Sequence, residues 1–438
     1  MKSNILIFAL MALSAMVYIN IAYGVERNQF VFFIGHIVSL FAAYWLLYKK
    51  LYSLSLTEII TAGVFFRLLF LISIPSLSDD YFRFIWDGQL ISYGLNPYLE
   101  KPLQAIQHFS ENPFFNELLE NMNSPNYFTV YPPLHQFLFF IAATCGAENI
   151  LYNLITMRLL ILLAEIGSAI MLIKLKISKN LFYLFFLNPL LIIELCGNLH
   201  FEAVMIFFLL TSFYFLKKEN HFFSAFFLGL AISIKLIPFI FLPFIAMHLR
   251  LKKGIIYILT SVSIVVILFL PFLSKQLLLH VGSSLQLYFL AFEFNASIYY
   301  IIRELGYLVY GYNIISIAGK ILPLITICAM LILLFKQYKV RTEQKLFASF
   351  LFALFTYYLL SSVVHPWYVS TLVLLGVLSN YVFPVVWSGL AFLSYHAYGN
   401  IFYYENKWLI SAEYLLLTIF FIYEWRKKGK EHLLNAIP

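Results

Sequence analysis

A succession of long apolar runs decides what this chain can fold into. They fall at about 4–23, 29–48, 54–75, 150–173, 180–197, 201–216, 221–234, 236–249, 254–273, 313–335, 345–363, 366–380, 382–398 and 408–424. A perpendicular helix needs roughly 20 apolar residues to cross the hydrocarbon core of a bilayer. Several runs are shorter than that, so their boundaries are soft. Hydrophobic residues make up 62% of the chain and charged residues only 11%. No soluble fold buries so much apolar surface. The expected fold class is an all-α polytopic membrane protein of about 14 transmembrane helices, with residues 1–438 forming one membrane domain.

The net charge of +8 is a topology signal rather than a nucleic-acid signal. Nineteen of the 29 basic residues cluster in alternate loops. They are Lys2; Lys49 and Lys50; Lys174, Lys176 and Lys179; Lys217 and Lys218; Arg250, Lys252 and Lys253; Lys336, Lys339, Arg341 and Lys345; and Arg426, Lys427, Lys428 and Lys430. Short cytoplasmic loops carry such an excess, so both termini are expected inside, with 425–438 a basic cytoplasmic tail. The parity holds only if 131–146 does not cross. Tyr131-Pro132-Pro133-Leu134 then opens an amphipathic or re-entrant piece of a long outer loop, 76–149, and a second outer loop spans 274–312. The apolar run before Gly24 has no small-residue cleavage site and is expected to be a retained helix. Cys145, Cys196 and Cys328 are too far apart for a CxxC motif or a disulfide framework.

The first outer loop opens with Ser78-Asp79-Asp80-Tyr81-Phe82-Arg83-Phe84-Ile85-Trp86-Asp87-Gly88 and runs on to Gly94-Leu95-Asn96-Pro97-Tyr98. If Ser78 caps a helix, Asp79 and Asp80 stand in its first turn. Asp80, Arg83 and Asp87 then share a face, and Arg83 pairs with Asp87 at i, i+4. The plain alternative is a capped surface helix with a salt bridge. Further polar groups gather at helix ends on the same side: Asn198, His200, Glu202, Lys235, Arg303 and His365 with Trp367 and Tyr368. Arg67, Arg158 and Glu194 fall in the same half of their spans. An ionisable group at bilayer depth costs about 2.5–3.5 kcal/mol on insertion scales, so it faces a cavity or a partner.

Carboxylates and cations at the mouth of a bilayer suit a lipid-phosphate donor. Cations hold a phosphate leaving group, and a carboxylate takes the proton of an attacking hydroxyl. The rings of Trp86, Tyr98, Trp367 and Tyr368 are candidate walls of a sugar site. Each residue also has a duller role. Asp79 and Asp80 fit helix caps, Arg83 and Asp87 a structural pair, His200 and His365 interfacial hydrogen-bonders, and Lys235 a snorkelling side chain. Asn295-Ala296-Ser297 fits a glycosylation sequon on the outer face. No Gly-rich phosphate loop or other nucleotide signature is present.

The opening motif resembles the first-outer-loop signature of bacterial GT-C glycosyltransferases, in particular the polyprenyl-phosphate-mannose-dependent mannosyltransferase group. Tyr131-Pro132-Pro133-Leu134, Gly197-Asn198-Leu199-His200-Phe201-Glu202, Lys235-Leu236-Ile237-Pro238 and His365-Pro366-Trp367-Tyr368 follow in the order seen there, over residues 55–370. The first motif is fairly specific; the others carry weight together. The resemblance implies a GT-C-like bundle, juxtamembrane helices in the first outer loop, and an acidic base at its start for an inverting transfer. Asp80 matches that position best, with Asp79 the alternative. It also implies substrate contacts from Arg83, Asp87, Tyr98, Arg158, Asn198, His200, Glu202, Lys235, Arg303, His365, Trp367 and Tyr368. The chain departs from larger relatives in showing only the basic tail after Trp425, which leaves the acceptor open.

The resulting expectation is an enzyme of the cell (inner) membrane. It moves a hexose, mannose by resemblance, from a polyprenyl phosphate to a glycan or glycolipid acceptor at the outer face. Nucleic acid is not an expected partner, and neither a redox nor a nucleotide cofactor is needed. A divalent metal at Asp79 and Asp80 is compatible with the charges but lacks a ligand cluster. Two rival classes are a flippase or transporter of lipid-linked sugars and an oligosaccharide polymerase. A transporter would want paired broken helices around a midplane site.

Overall fold

The computed structural model describes residues 2–338, 342–399 and 403–434. Lys339 and Arg341 of one expected basic loop, and the end of the tail, lie outside these residues. Every described element is helical; the one β pairing is an isolated bridge between Phe294 and Val363. Each of the expected apolar runs is helical, but 54–75 is cut short and 180–197, 236–249, 366–380 and 382–398 are split into shorter helices. Six helices are long and apolar enough to cross a membrane: Ile5–Tyr23, Phe30–Lys49, Ile150–Lys174, Leu251–Phe272, Ile315–Lys336 and Lys407–Lys428. A seventh crossing arises if Lys179–Phe186 and Leu191–Gly197, bent by 49°, count as one. The expected figure of about 14 also counts shorter apolar helices, among them His221–Ile232, Ile237–Leu249 and Pro366–Ser379; Pro133–Gly146 is of the same kind but belongs to the expected outer loop.

The departures from straight spans have local causes. The helix Leu56–Leu68 begins at a capping box between Ser55 and Glu58 and stops short of the expected 75. Its last turn holds Arg67, which is buried and donates to the carbonyls of Gly63 and Phe186, so the chain turns away here. Arg67 also pairs with Glu165 at 2.8 Å, which compensates both charges inside the bundle. The bent pair breaks at Pro189, which has no N–H to offer the preceding turn. Its second half, Leu191–Gly197, is a π-helix, a form concentrated at functional sites.

Both long loops are built of helices. The first holds Asp80–Ser92, Pro113–Asn121 and Pro133–Gly146. Asp80–Ser92 packs on Pro133–Gly146 through Phe84 stacked on Phe139 at 4.6 Å. Gly88 allows the approach: a Cβ there would stand 2.3 Å from the Phe139 carbonyl oxygen. The second loop holds Leu277–Leu290 and Ile298–Tyr310. The sequon reading of Asn295 does not survive. Its side chain is 1% exposed and donates to Glu413, so it offers no acceptor amide at the surface.

Candidate functional site

One cavity of about 830 Å³ takes its wall from segments far apart in sequence. Asp79, Asp80 and Arg83 come from the first loop; His200 follows the π-helix; Lys235 stands in a break between short helices; His365, Trp367 and Tyr368 come from one further turn. The break around Lys235 is fixed from the loop side. The N-terminus of Pro133–Gly146 donates two backbone N–H groups to the Ser233 carbonyl.

The aspartates are not helix caps. The cap position of Asp80–Ser92 is Asp79, and its side chain makes no capping bond; Ser78, the expected cap, only reaches the Asp80 N–H at 3.4 Å. Asp79 instead pairs with Arg27 at 2.6 Å. Asp80 accepts one hydrogen bond, from Asn123 Nδ2 to Oδ1 at 2.9 Å. No other described side chain bonds its carboxylate, so Oδ2 is free. Burial raises the Asp80 carboxyl above its ordinary value, while Asn123 and Lys235 pull it back. This leaves Asp80 partly open to the cavity and a better proton acceptor than a surface aspartate.

The cations come with counter-charges. Arg83 Nε donates to Asp87 at 2.8 Å, as the i, i+4 spacing implied, and Nη1 donates to the carbonyls of Ser124 and Tyr127. Lys235 pairs with Glu202 and lies over the Tyr368 ring at 5.6 Å. Two expectations about aromatic walls need correction. Trp86 and Tyr98 are buried away from the cavity, Trp86 against Phe115 and Tyr98 with its hydroxyl on the Tyr131 carbonyl. Trp367 lines the cavity, but both its faces are covered. His200 stacks on one at 3.8 Å and His365 on the other at 4.3 Å, with Phe294 stacked beyond His365 at 4.6 Å. Trp367 therefore offers a ligand its edge, not a face.

Six expected contact residues stand behind the wall. Asp87 is buried and filled by Arg83, Thr129 and Gln136. Tyr98 is part of the packing described above. Arg158 is buried and donates to the carbonyls of Leu71, Cys196 and Gly197. Asn198 donates to Glu194 at 3.1 Å, Glu202 serves Lys235, and Arg303 pairs with Glu293, which does line the cavity. The sequence reading missed Arg27, Asn123, His135, Tyr395 and Tyr398 as wall residues. Arg27 left a signal: with Glu26 it forms the charged content of a short loop between the first two apolar runs. The others left none.

Among the described residues no three His, Cys, Asp or Glu side chains gather as ligands, and Asp79 is already held by Arg27.

A family model described as alpha-(1->6)-mannopyranosyltransferase, N-terminal domain, matches residues 9–250, more than half of the chain. The chain belongs to this family. The match takes in the first loop, the π-helix and Lys235. His365, Trp367 and Tyr368 lie beyond it and join the family's residues only through the cavity. A curated relative, alpha-(1->6)-mannopyranosyltransferase A of Corynebacterium glutamicum, is 25% identical over 193 residues. That alignment covers 41% of this chain and 38% of the relative, so the chain matches well under half of the relative's length. No solved structure matches the chain.

Proposed function

We propose that this protein is a GT-C-type inverting mannosyltransferase of the cell membrane. It takes mannose from a polyprenyl phosphate and passes it to a glycan or glycolipid hydroxyl at the outer face. One observation carries the reading. A free carboxylate oxygen on Asp80 shares a cavity with Lys235 and Arg83, in a chain whose family makes α-mannosyl bonds. The acceptor hydroxyl attacks the anomeric carbon as the bond from that carbon to the phosphate oxygen breaks. The bonding pair leaves with the lipid phosphate, and Asp80 Oδ2 takes the hydroxyl proton. Direct displacement inverts the anomeric carbon, so an α product requires a β-linked donor. Lys235 and Arg83 stabilise the phosphate as its charge grows. The paired counter-ions Glu202 and Asp87 hold these cations in place.

Donor choice tests this reading. Purified protein in proteoliposomes is expected to transfer mannose from polyprenyl-phosphate mannose and not from a nucleotide-linked mannose without lipid. Equal turnover with the nucleotide sugar contradicts it. Movement of the lipid-linked sugar across the bilayer without transfer would favour a flippase, and elongation from a diphosphate-linked oligosaccharide would favour a polymerase.

A further inference from the structure

His200 is held by an unusual piece of backbone. Residues 191–197 form the π-helix, and Arg158 clamps its last two carbonyls, those of Cys196 and Gly197, at 3.2 and 3.1 Å. Leu199 then takes φ 64°, a left-handed conformation that side chains other than glycine and asparagine rarely adopt. The His200 N–H returns to the Glu194 carbonyl at 3.2 Å. The effect of this fold-back is to set the His200 ring beside the Glu194 side chain. Nε2 lies 3.5 Å from Glu194 Oε2 and is closed off from the cavity. Glu194 is itself buried and fixed by Asn198 at 3.1 Å and by the Tyr395 hydroxyl at 2.8 Å. Trp367 fixes the ring plane. No hydrogen bond to Nδ1 is found among the described residues; unlike Nε2, Nδ1 is not among the closed-off buried atoms, and His200 lines the cavity.

We infer that Glu194 is a positioning residue that holds His200 in its Nε2–H form, so that Nδ1 accepts a hydrogen bond from a hydroxyl of the bound sugar. The inference rests on the transferase reading for its ligand, but its geometric part stands alone. A neutral imidazole carries one donor and one acceptor nitrogen, and the partner of one decides the role of the other. Burial, with Lys235 nearby, keeps His200 well below its usual range, so the ring is neutral. Glu194 has two other donors already, and the acceptor it presents to Nε2 leaves the lone pair on Nδ1. The 3.5 Å separation is long for a hydrogen bond; such contacts tighten when substrate fills a site. The ligand class is therefore a hydroxyl-bearing pyranose, with one hydroxyl read by His200.

Glu194→Gln is the test, because it keeps shape while replacing one acceptor oxygen with an amide donor. In ¹⁵N-histidine-labelled protein, the His200 signal is assigned by its loss in His200→Phe, which preserves the ring stack. The expected result is an Nε2–H signature in the wild type and a shift towards Nδ1–H in Glu194→Gln. A wild-type Nδ1–H signature overturns the inference, whatever the enzyme's activity. The second arm uses mannosyl polyprenyl phosphate and its 2-, 3-, 4- and 6-deoxy forms. Glu194→Gln should lose at least tenfold in kcat/KM on the full sugar and much less on one deoxy donor, with an unchanged thermal melt. An equal loss on all the donors also overturns it. A wild type that transfers from none of them counts against the proposed function, while the spectra still decide the state of His200.

Discussion

At the scale of single residues, two neighbouring aspartates have different partners. Asp79 is engaged by Arg27 on a partly exposed rim, while Asp80 keeps an oxygen free. Exposed ion pairs contribute about 0–1 kcal/mol, so Asp79→Asn should leave the thermal melt almost unchanged and slow transfer less than Asp80→Asn does. Loss of all turnover in Asp79→Asn, with Asp80→Asn active, would move the base one residue back. The raised Asp80 carboxyl also sets a pH dependence. The base works ionised, so kcat/KM should fall as pH drops through a value above that of an ordinary aspartate, and be flat above it. A profile flat down to the ordinary aspartate range would contradict this. The motif made the carboxylates and Arg83 legible in the sequence, because charge is scarce in an apolar chain. The choice between Asp79 and Asp80 was not legible from the residues themselves. It depends on Arg27 and Asn123, which lie some 50 residues upstream and 40 downstream.

At the scale of elements, the apolar runs told where helices form but not where they break. Leu56–Leu68 ends early because Arg67 seeks the Phe186 carbonyl and Glu165, partners that sequence spacing cannot show. The ring stack through Trp367 was equally hidden, since His200, His365 and Phe294 come from separate segments. By contrast the Arg83–Asp87 pair followed from helical spacing alone. That pair is buried, and removing one partner of a buried pair costs about 3–5 kcal/mol. Asp87→Asn should therefore lower the Tm and purified yield clearly, and activity with them through Arg83; an unchanged Tm would show that the pair contributes little. The helix contact behind it is as tight. Gly88→Ala puts a methyl against the Phe139 backbone, and overpacking of this kind costs typically about 1–3 kcal/mol.

At the scale of the whole molecule, the charge pattern and the cavity agree on one point. The wall residues come from ends that the basic-loop alternation assigns to a single side. Single cysteines tested in a background lacking Cys145, Cys196 and Cys328 measure which side. Positions in 76–149 should react with an impermeant reagent from outside, and positions near Lys217 and Lys336 should not. Outside labelling of the Lys174–Lys179 loop would make Pro133–Gly146 a span and invert the arrangement. The family match stops at residue 250, so the pairing of Asp80 with the later His365-Pro366-Trp367-Tyr368 turn rests on the fold. The most direct measurement is mannosyl transfer from polyprenyl-phosphate mannose by wild type and Asp80→Asn in proteoliposomes, with donor binding and thermal melt recorded for both. A general base contributes typically about 10²–10⁴ in rate, so the variant should lose that much in kcat while binding donor and melting as the wild type does. Near-full turnover by Asp80→Asn would contradict the account.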